Sequence, residues 1–215
     1  MEEIIYDLKD VKFSYNKQLV LNIGKLSFSK GKIYAMIGSN GSGKTTLMKI
    51  LNGLINVNDG SVNYKNEAIE KNNFKLVRDE TVYVHQNPYL FSGSVSYNLS
   101  YGLKLKKIDK DTISKKISET LKLIGMENFE ARKNRELSIG EIQKIAIARA
   151  IVPDPDVLLL DEPTSNIDSK SIEIVEKLLL DLKSKNKTII FSSHNSFFSF
   201  KLCDEIINLE NGKIV

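Results

Sequence analysis

Nine consecutive residues, Gly38-Ser39-Asn40-Gly41-Ser42-Gly43-Lys44-Thr45-Thr46, leave this chain few options. They fit G-x-x-x-x-G-K-[ST], a loop built to hold phosphates. A polyphosphate carries several negative charges and must be gripped where no side chain is in the way. Glycines at 38, 41 and 43 let the backbone turn tightly and bring its N–H groups onto the anion. A helix that follows offers its positive N-terminal end. Lys44 can reach the outer phosphates as a point charge, and the Thr45 hydroxyl can ligate Mg²⁺. The flanks agree. Ile33-Tyr34-Ala35-Met36-Ile37 reads as a buried strand, and 45–51 as a helix.

A second stretch completes the first. Val157-Leu158-Leu159-Leu160 reads as a strand buried on both faces of a parallel sheet, and it ends in Asp161-Glu162. Two buried carboxylates are costly unless something positive lies beside them. In a chain with a phosphate loop, hydrated Mg²⁺ is the simplest answer. Successive strand side chains point to opposite sides, so the two need not share a role. Asp161 can anchor the metal shell, and Glu162 can polarise an attacking water.

Around these stretches the pattern is mixed α/β. Segments 4–6, 11–15 and 19–28 read as short strands ahead of the loop, suggesting a small antiparallel sheet. Asn58-Asp59-Gly60 signals a turn into a strand over 61–64, and 81–84 is β-rich. Residues 109–125 carry Ile113, Ile117, Leu121 and Ile124 on one helical face, and 140–151 is a further helix stopped by Pro153 and Pro155. The stretch 88–150 therefore reads as a helical insertion. A helix over 169–182 and a strand over 187–191 follow, leading to Ser192-Ser193-His194. Three features keep two readings each. Tyr15 either packs in a core or stacks on a base. Tyr89-Leu90-Phe91 is either local core or a docking knob. His194 is either a surface histidine or a γ-phosphate ligand.

With 215 residues, one two-lobed domain is expected. The net charge of +4 is too small to argue for nucleic acid. The lysines at 104, 106, 107, 115 and 116 read as a solvated face. The single cysteine excludes an internal disulfide and fits a reducing compartment. No signal peptide or membrane-length apolar run is present, so a soluble chain is expected. After Leu209-Glu210-Asn211-Gly212-Lys213 no room is expected for an appended domain.

Taken together, these pieces resemble the nucleotide-binding domain of ABC ATPases across essentially the whole chain. Tyr15 looks like the adenine-stacking aromatic, Gly38–Thr46 like Walker A, and Gln86 like the Q-loop glutamine. Leu137-Ser138-Ile139-Gly140-Glu141 looks like the signature motif. Leu158–Glu162 looks like Walker B, Ser165-Asn166-Ile167-Asp168 like the D-loop, and His194 like the switch histidine. The resemblance implies an α/β fold: a P-loop NTPase (RecA-like) core, an N-terminal antiparallel β subdomain and an inserted α-helical subdomain. It implies a single ABC ATPase domain over 1–215, with the helical part at about 88–150.

The resemblance also implies ATP and Mg²⁺. Nucleotide contacts would come from Tyr15, Gly38, Ser39, Asn40, Gly41, Ser42, Gly43, Lys44, Thr45, Thr46, Ser138, Gly140 and Asp168. Metal contacts would come from Thr45, Gln86 and Asp161, and hydrolysis would use Glu162, His194 and Gln86. Two chains would pair head to tail around two ATP molecules, each bound between Walker A of one copy and the signature of the other. Ser138 begins the 140–151 helix, where its hydroxyl and the free N–H groups can meet a phosphate from outside. The signature departs from the usual Leu-Ser-Gly-Gly-Gln at Ile139, which disfavours positive φ, and at Glu141. Lys144 replaces the usual Arg, keeping the charge but losing the fork.

The expected role is a cytoplasmic ATPase subunit, peripheral on the inner face of the membrane through a permease and served by a substrate-binding protein. The stretches 86–91 and 101–105 resemble ATPase subunits of oxyanion importers for tungstate and molybdate. An alternative is a lipoprotein-release or cell-division ABC ATPase doing mechanical work. A DNA-repair ABC ATPase would need long heptads or Cys pairs, which the sequence lacks, so no nucleic acid partner is expected.

Overall fold

The computed structural model of the protein describes residues 2–70, 74–165, 167–193 and 201–215. Alternation of buried and outward residues builds the first sheet. β1 (Ile4–Tyr15) buries Tyr6, Leu8, Val11 and Phe13 and sends Lys9, Asp10 and Lys12 outward. The segments expected as separate strands over 4–6 and 11–15 are thus one strand. The polar residues between them are its outer face, and Asp10, at φ 49°, absorbs a register shift between Lys9 and Lys12. A two-residue turn at Asn16 and Lys17, both at positive φ, leads into β2 (Gln18–Ser29). β4 (Asp59–Tyr64) and β5 (Glu67–Ala68) complete an antiparallel sheet ordered β2-β1-β4-β5.

In the second sheet β3 (Ile33–Ile37), β6 (Thr81–Val84), β7 (Val157–Leu160), β8 (Thr188–Ser193) and β9 (Glu205–Glu210) are parallel, and β10 (Lys213–Ile214) is antiparallel to β9. Their order is β10-β9-β3-β8-β7-β6. The strand period of two splits its side chains between two cores. Ile33, Ala35, Leu158, Leu160, Ile189 and Phe191 face α5 (Ile139–Ile151), α6 (Ser169–Ser184) and the helical segment. Tyr34, Met36, Val157, Leu159, Ile190 and Ile207 face α1 (Lys44–Leu51) and the antiparallel sheet. α2 (Phe74–Glu80) precedes β6, and neither it nor β9 is among the sequence expectations.

Between β6 and β7 lie α3 (Val95–Leu105), α4 (Lys110–Leu123) and α5. Their N-termini are marked chemically. Ser94, Asp109 and Ser138 accept the backbone N–H of Tyr97, Thr112 and Glu141. The three helices join the core through Leu99, Leu103, Ile113, Ile117, Leu121 and Ile145.

Candidate functional site

Topology decides what meets at the C-terminal ends of the parallel strands. β3 carries the glycine loop, β7 ends at Asp161 and Glu162, and β8 lies between them, with Met36 opposite Ser192 and Leu160 opposite Phe191. The loop closes tightly. A Cβ on Gly38 would collide with the Leu209 carbonyl. One on Gly43, at φ 109°, would lie 2.6 Å from Leu21 Cδ2. Gly43 is also the N-cap of α1. It offers no side-chain cap, and no acidic residue occupies the first turn, so the first N–H groups of α1 can be met by an anion.

Lys44 is 6 % exposed, and its Nζ donates to the Gly38 and Ser39 carbonyls at 2.8 and 3.0 Å. Burial pushes this ammonium below its usual range, and the Glu162 and Asp161 carboxylates oppose the shift. Asp161 and Glu162 are 4 % and 8 % exposed. Asp161 Oδ2 accepts the Thr45 hydroxyl at 2.7 Å and the Tyr83 hydroxyl at 3.0 Å, while Oδ1 accepts the Ser192 hydroxyl at 2.6 Å. Glu162 Oε2 accepts the Gln86 amide at 2.9 Å, and the Glu162 backbone N–H donates to Ser192 Oγ at 2.9 Å. Glu162 itself is at φ 50°.

Lys44, Thr45, Gln86 and Glu162 open on a cavity of about 490 Å³, ample for a nucleotide, also lined by Tyr15, Gln18, Val20, Asn40, Gly41, Gly43 and Thr46, whereas Asp161 lies behind them and does not line it. Tyr15 is 44 % exposed at its rim, edge-on to Phe13, leaving a ring surface open to a base. Ser138, Gly140 and Asp168 do not line this cavity. Ser138 is exposed at the start of α5. Its hydroxyl and N–H donate to Glu141 Oε2 at 2.9 and 2.7 Å, and Oγ accepts the Glu141 N–H. Asp168 caps α6 through the Ser171 N–H and hydroxyl. His194, and Asn166 of the expected D-loop, lie outside the described residues. Tyr83 and Ser192 are the contributors that sequence reasoning missed. The only signal was a pair of serines closing a buried β run and a tyrosine three residues before Gln86.

The sequence model of the ABC transporter family matches residues 21–165. The chain belongs to the ABC transporter ATP-binding family. It is 37% identical over 208 residues to the tungstate uptake system ATP-binding protein TupC of Peptoclostridium acidaminophilum, covering 96% of this chain and 95% of that one. It is 36% identical to the spermidine/putrescine import ATP-binding protein PotA of Clostridioides difficile, spanning all of this chain and 62% of that one. Among solved structures, the fold matches the ATP-binding cassette MJ0796, dimeric in a post-hydrolysis state with ADP and Pi. The TM-score is 0.90 at 27% identity, covering 98% of this chain and 96% of that one. Part of the cbiONQ transporter complex, cbiO1 from Clostridium perfringens, matches at TM-score 0.89 and 28% identity, over 100% and 88% of the two chains. The ABC fold expected from the sequence is thus the fold found, and the chain binds and hydrolyses ATP to drive transport. Among the described residues no helix is long and apolar enough to cross a membrane.

Proposed function

We propose that this chain energises import through a membrane permease, hydrolysing MgATP at the site just described. The observation that carries the assignment of roles is the pairing of Thr45 with Asp161 and of Gln86 with Glu162, where Thr45, Gln86 and Glu162 line one cavity. Lys44 exchanges the loop carbonyls for phosphate oxygens, and the α1 N-terminus and loop N–H groups receive the rest of the charge. Glu162 accepts the proton of the attacking water, and Gln86 holds its carboxylate. The donors suit Mg²⁺, a hard cation that takes oxygen ligands. Among the described residues no cluster of three or more acidic, His or Cys side chains could hold a metal alone. Thr45, Gln86 and Asp161 would hold the ion together with phosphate and water. Bound there, Mg²⁺ would offset the negative charge that builds on the outer phosphates.

The second half of each site comes from another copy. Ser138 is exposed at the head of α5, outside the cavity, where a partner's γ-phosphate could reach it. The dimeric MJ0796 structure supports this reading. The permease contact is assigned to the segment after Gln86. Tyr89 is 70 % exposed, whereas Leu90 is buried. Phe91 is held under the Arg149 guanidinium and against Tyr101. The expected knob therefore divides: Tyr89 projects outward, and Leu90 and Phe91 brace it. Arg149 also donates to the Tyr89 carbonyl, so the signature helix is tied to this segment.

Import of an oxyanion is supported by the tungstate uptake relative, which matches nearly end to end, and import in general by the polyamine relative. The chain would then act at the cytoplasmic face of the membrane, with a substrate-binding protein outside. Co-purification from native membranes with mass spectrometry of the partner tests this. A permease is expected, lost with Tyr89→Ala while ATP binding persists. In the reconstituted complex, tungstate with its binding protein should raise turnover. A partner that extracts lipoproteins would overturn the import reading.

A further inference from the structure

The Ser192 side chain joins the two carboxylate residues in a way the roles above do not use. Its hydroxyl donates to Asp161 Oδ1 at 2.6 Å, and the same oxygen accepts the Glu162 backbone N–H at 2.9 Å. Ser192 is fully buried. Its place follows from β pairing. β8 is the strand between the phosphate-loop strand and β7, and Leu160 opposite Phe191 brings Asp161 level with Ser192. Tyr83, from β6 on the other side of β7, donates to Asp161 Oδ2.

Two things need explaining, and one hydroxyl accounts for both. A glutamate at φ 50° persists only where its surroundings hold it, and the Ser192 acceptor fixes the N–H of that residue. Both oxygens of the Asp161 carboxylate are held, Oδ1 by Ser192 and Oδ2 by Thr45 and Tyr83, so Ser192 and Tyr83 would keep its plane fixed if the Thr45 hydroxyl turned to a metal.

We propose that Ser192 is a positioning residue that locks the metal-side carboxylate of Asp161 and the backbone of the base Glu162 into one unit, with Tyr83 as a second stay on Asp161 alone. The proposal rests on the roles assigned above to Asp161 and Glu162. It predicts that the two functions fail together when Ser192 loses its hydroxyl and separately when Tyr83 loses its own.

The test compares Ser192→Ala, Ser192→Thr, Tyr83→Phe and Glu162→Gln as full chains. Metal binding is read by Mn²⁺ paramagnetic resonance on the ATP-loaded Glu162→Gln background, where turnover is slow enough to hold ATP during the measurement. Ser192→Ala should weaken Mn²⁺ binding and lower kcat, each by about 10–100-fold, with ATP binding in the absence of metal unchanged because the glycine loop is intact. Amide hydrogen exchange at Glu162, measured without nucleotide, should quicken by about 10-fold or more, since its acceptor is gone. Ser192→Thr should restore all three. Tyr83→Phe should weaken Mn²⁺ binding yet leave the Glu162 amide protected.

A merely structural role for Ser192 would lower the melting temperature with turnover per folded chain and Mn²⁺ affinity unchanged, and that result overturns the proposal. So does an unchanged Glu162 amide. If Ser192→Ala does not fold, Ser192→Cys takes its place: similar in volume, with a weak donor and acceptor, and expected to show the same three losses. Full turnover in Glu162→Gln would instead sink the hydrolysis roles. A dead Glu162→Gln beside a fully active Ser192→Ala sinks only this inference.

Discussion

Glu162 is held at both ends, its carboxylate by the Gln86 amide and its N–H by Ser192, so replacing its carboxylate changes chemistry rather than fold. Glu162→Gln keeps the volume and the hydrogen-bonding oxygen but loses basicity. Turnover should fall by about 10²–10⁴-fold with ATP affinity retained, read by steady-state kinetics beside equilibrium nucleotide binding. Equal turnover in mutant and wild type would remove Glu162 as the base. The contact proposed for Tyr15 is of a different kind. Its ring is part-exposed at the cavity rim, with Phe13 edge-on against it. Stacking needs a flat face and no particular base edge, so Tyr15→Ala should weaken ATP and GTP alike and Tyr15→Phe should be mild. A large loss with Phe would assign the contact to the hydroxyl. Both residues were legible in the sequence because each belongs to a local pattern: a carboxylate closing an aliphatic run, an aromatic closing a strand. Ser192 and Tyr83 were not, because their meaning comes from strands that neighbour β7 in space and not in sequence.

At the scale of elements, α5 shows how a cap and a proposed functional position share residues. Glu141 replaces the usual Gln and completes a capping box with Ser138, whose N–H holds the Glu141 carboxyl below its ordinary range. Ile139, the other departure, is the first residue of the helix, 71 % exposed, and is not among the residues at positive φ. The substitution thus suits a helix start and needs no glycine. Glu141→Ala should cost about 0.5–1 kcal/mol of stability at neutral pH. The sign with pH follows from a depressed folded-state pKa. The contribution is complete above the unfolded value and vanishes as pH falls through the folded one. The difference between mutant and wild type in urea denaturation should therefore close in acid; a gap that stays constant with pH would mean that the lost contact is not the carboxylate's. Helix and buried-strand positions were readable here because apolar period and capping residues agree, as in 109–125 and 157–160. β9 and α2 were missed for a physical reason. Glu205–Glu210 sets two adjacent isoleucines among Glu205, Asn208 and Glu210 with no strict period of two, and Phe74–Glu80 is a two-turn helix with one buried side chain, Val77. Segments that short or that mixed are held by their neighbours, not by their own pattern.

For the molecule as a whole, the separation between the cavity and Ser138 sets the strongest prediction. One chain brings Lys44, Thr45, Gln86 and Glu162 to a single cavity, while Ser138 lies apart at the exposed head of α5. If the sandwich is right, a lone chain has half of each site, and two chains must meet before either site is complete. Turnover per chain should then rise steeply with protein concentration. Ser138→Arg should abolish turnover while leaving ATP binding to the single chain nearly intact, because the glycine loop and Tyr15 are untouched. Lys44→Ala should lose binding itself, since a direct phosphate contact is gone. Neither variant hydrolyses ATP alone. An equimolar blend, however, forms some mixed dimers in which the intact loop of the Ser138→Arg chain faces the intact Ser138 of the Lys44→Ala chain. That dimer has one whole site and one doubly broken one. Random pairing makes about half of the dimers mixed, so if the sites fire independently the blend should recover about a quarter of wild-type turnover. If the two sites must fire together, the blend stays inactive, but the steep concentration dependence of the wild-type chain remains. Concentration-independent turnover by the wild-type chain, together with a silent blend, is the combination that would end the shared-site account: the phosphate loop, Asp161 and Glu162 would then have to complete catalysis within one copy.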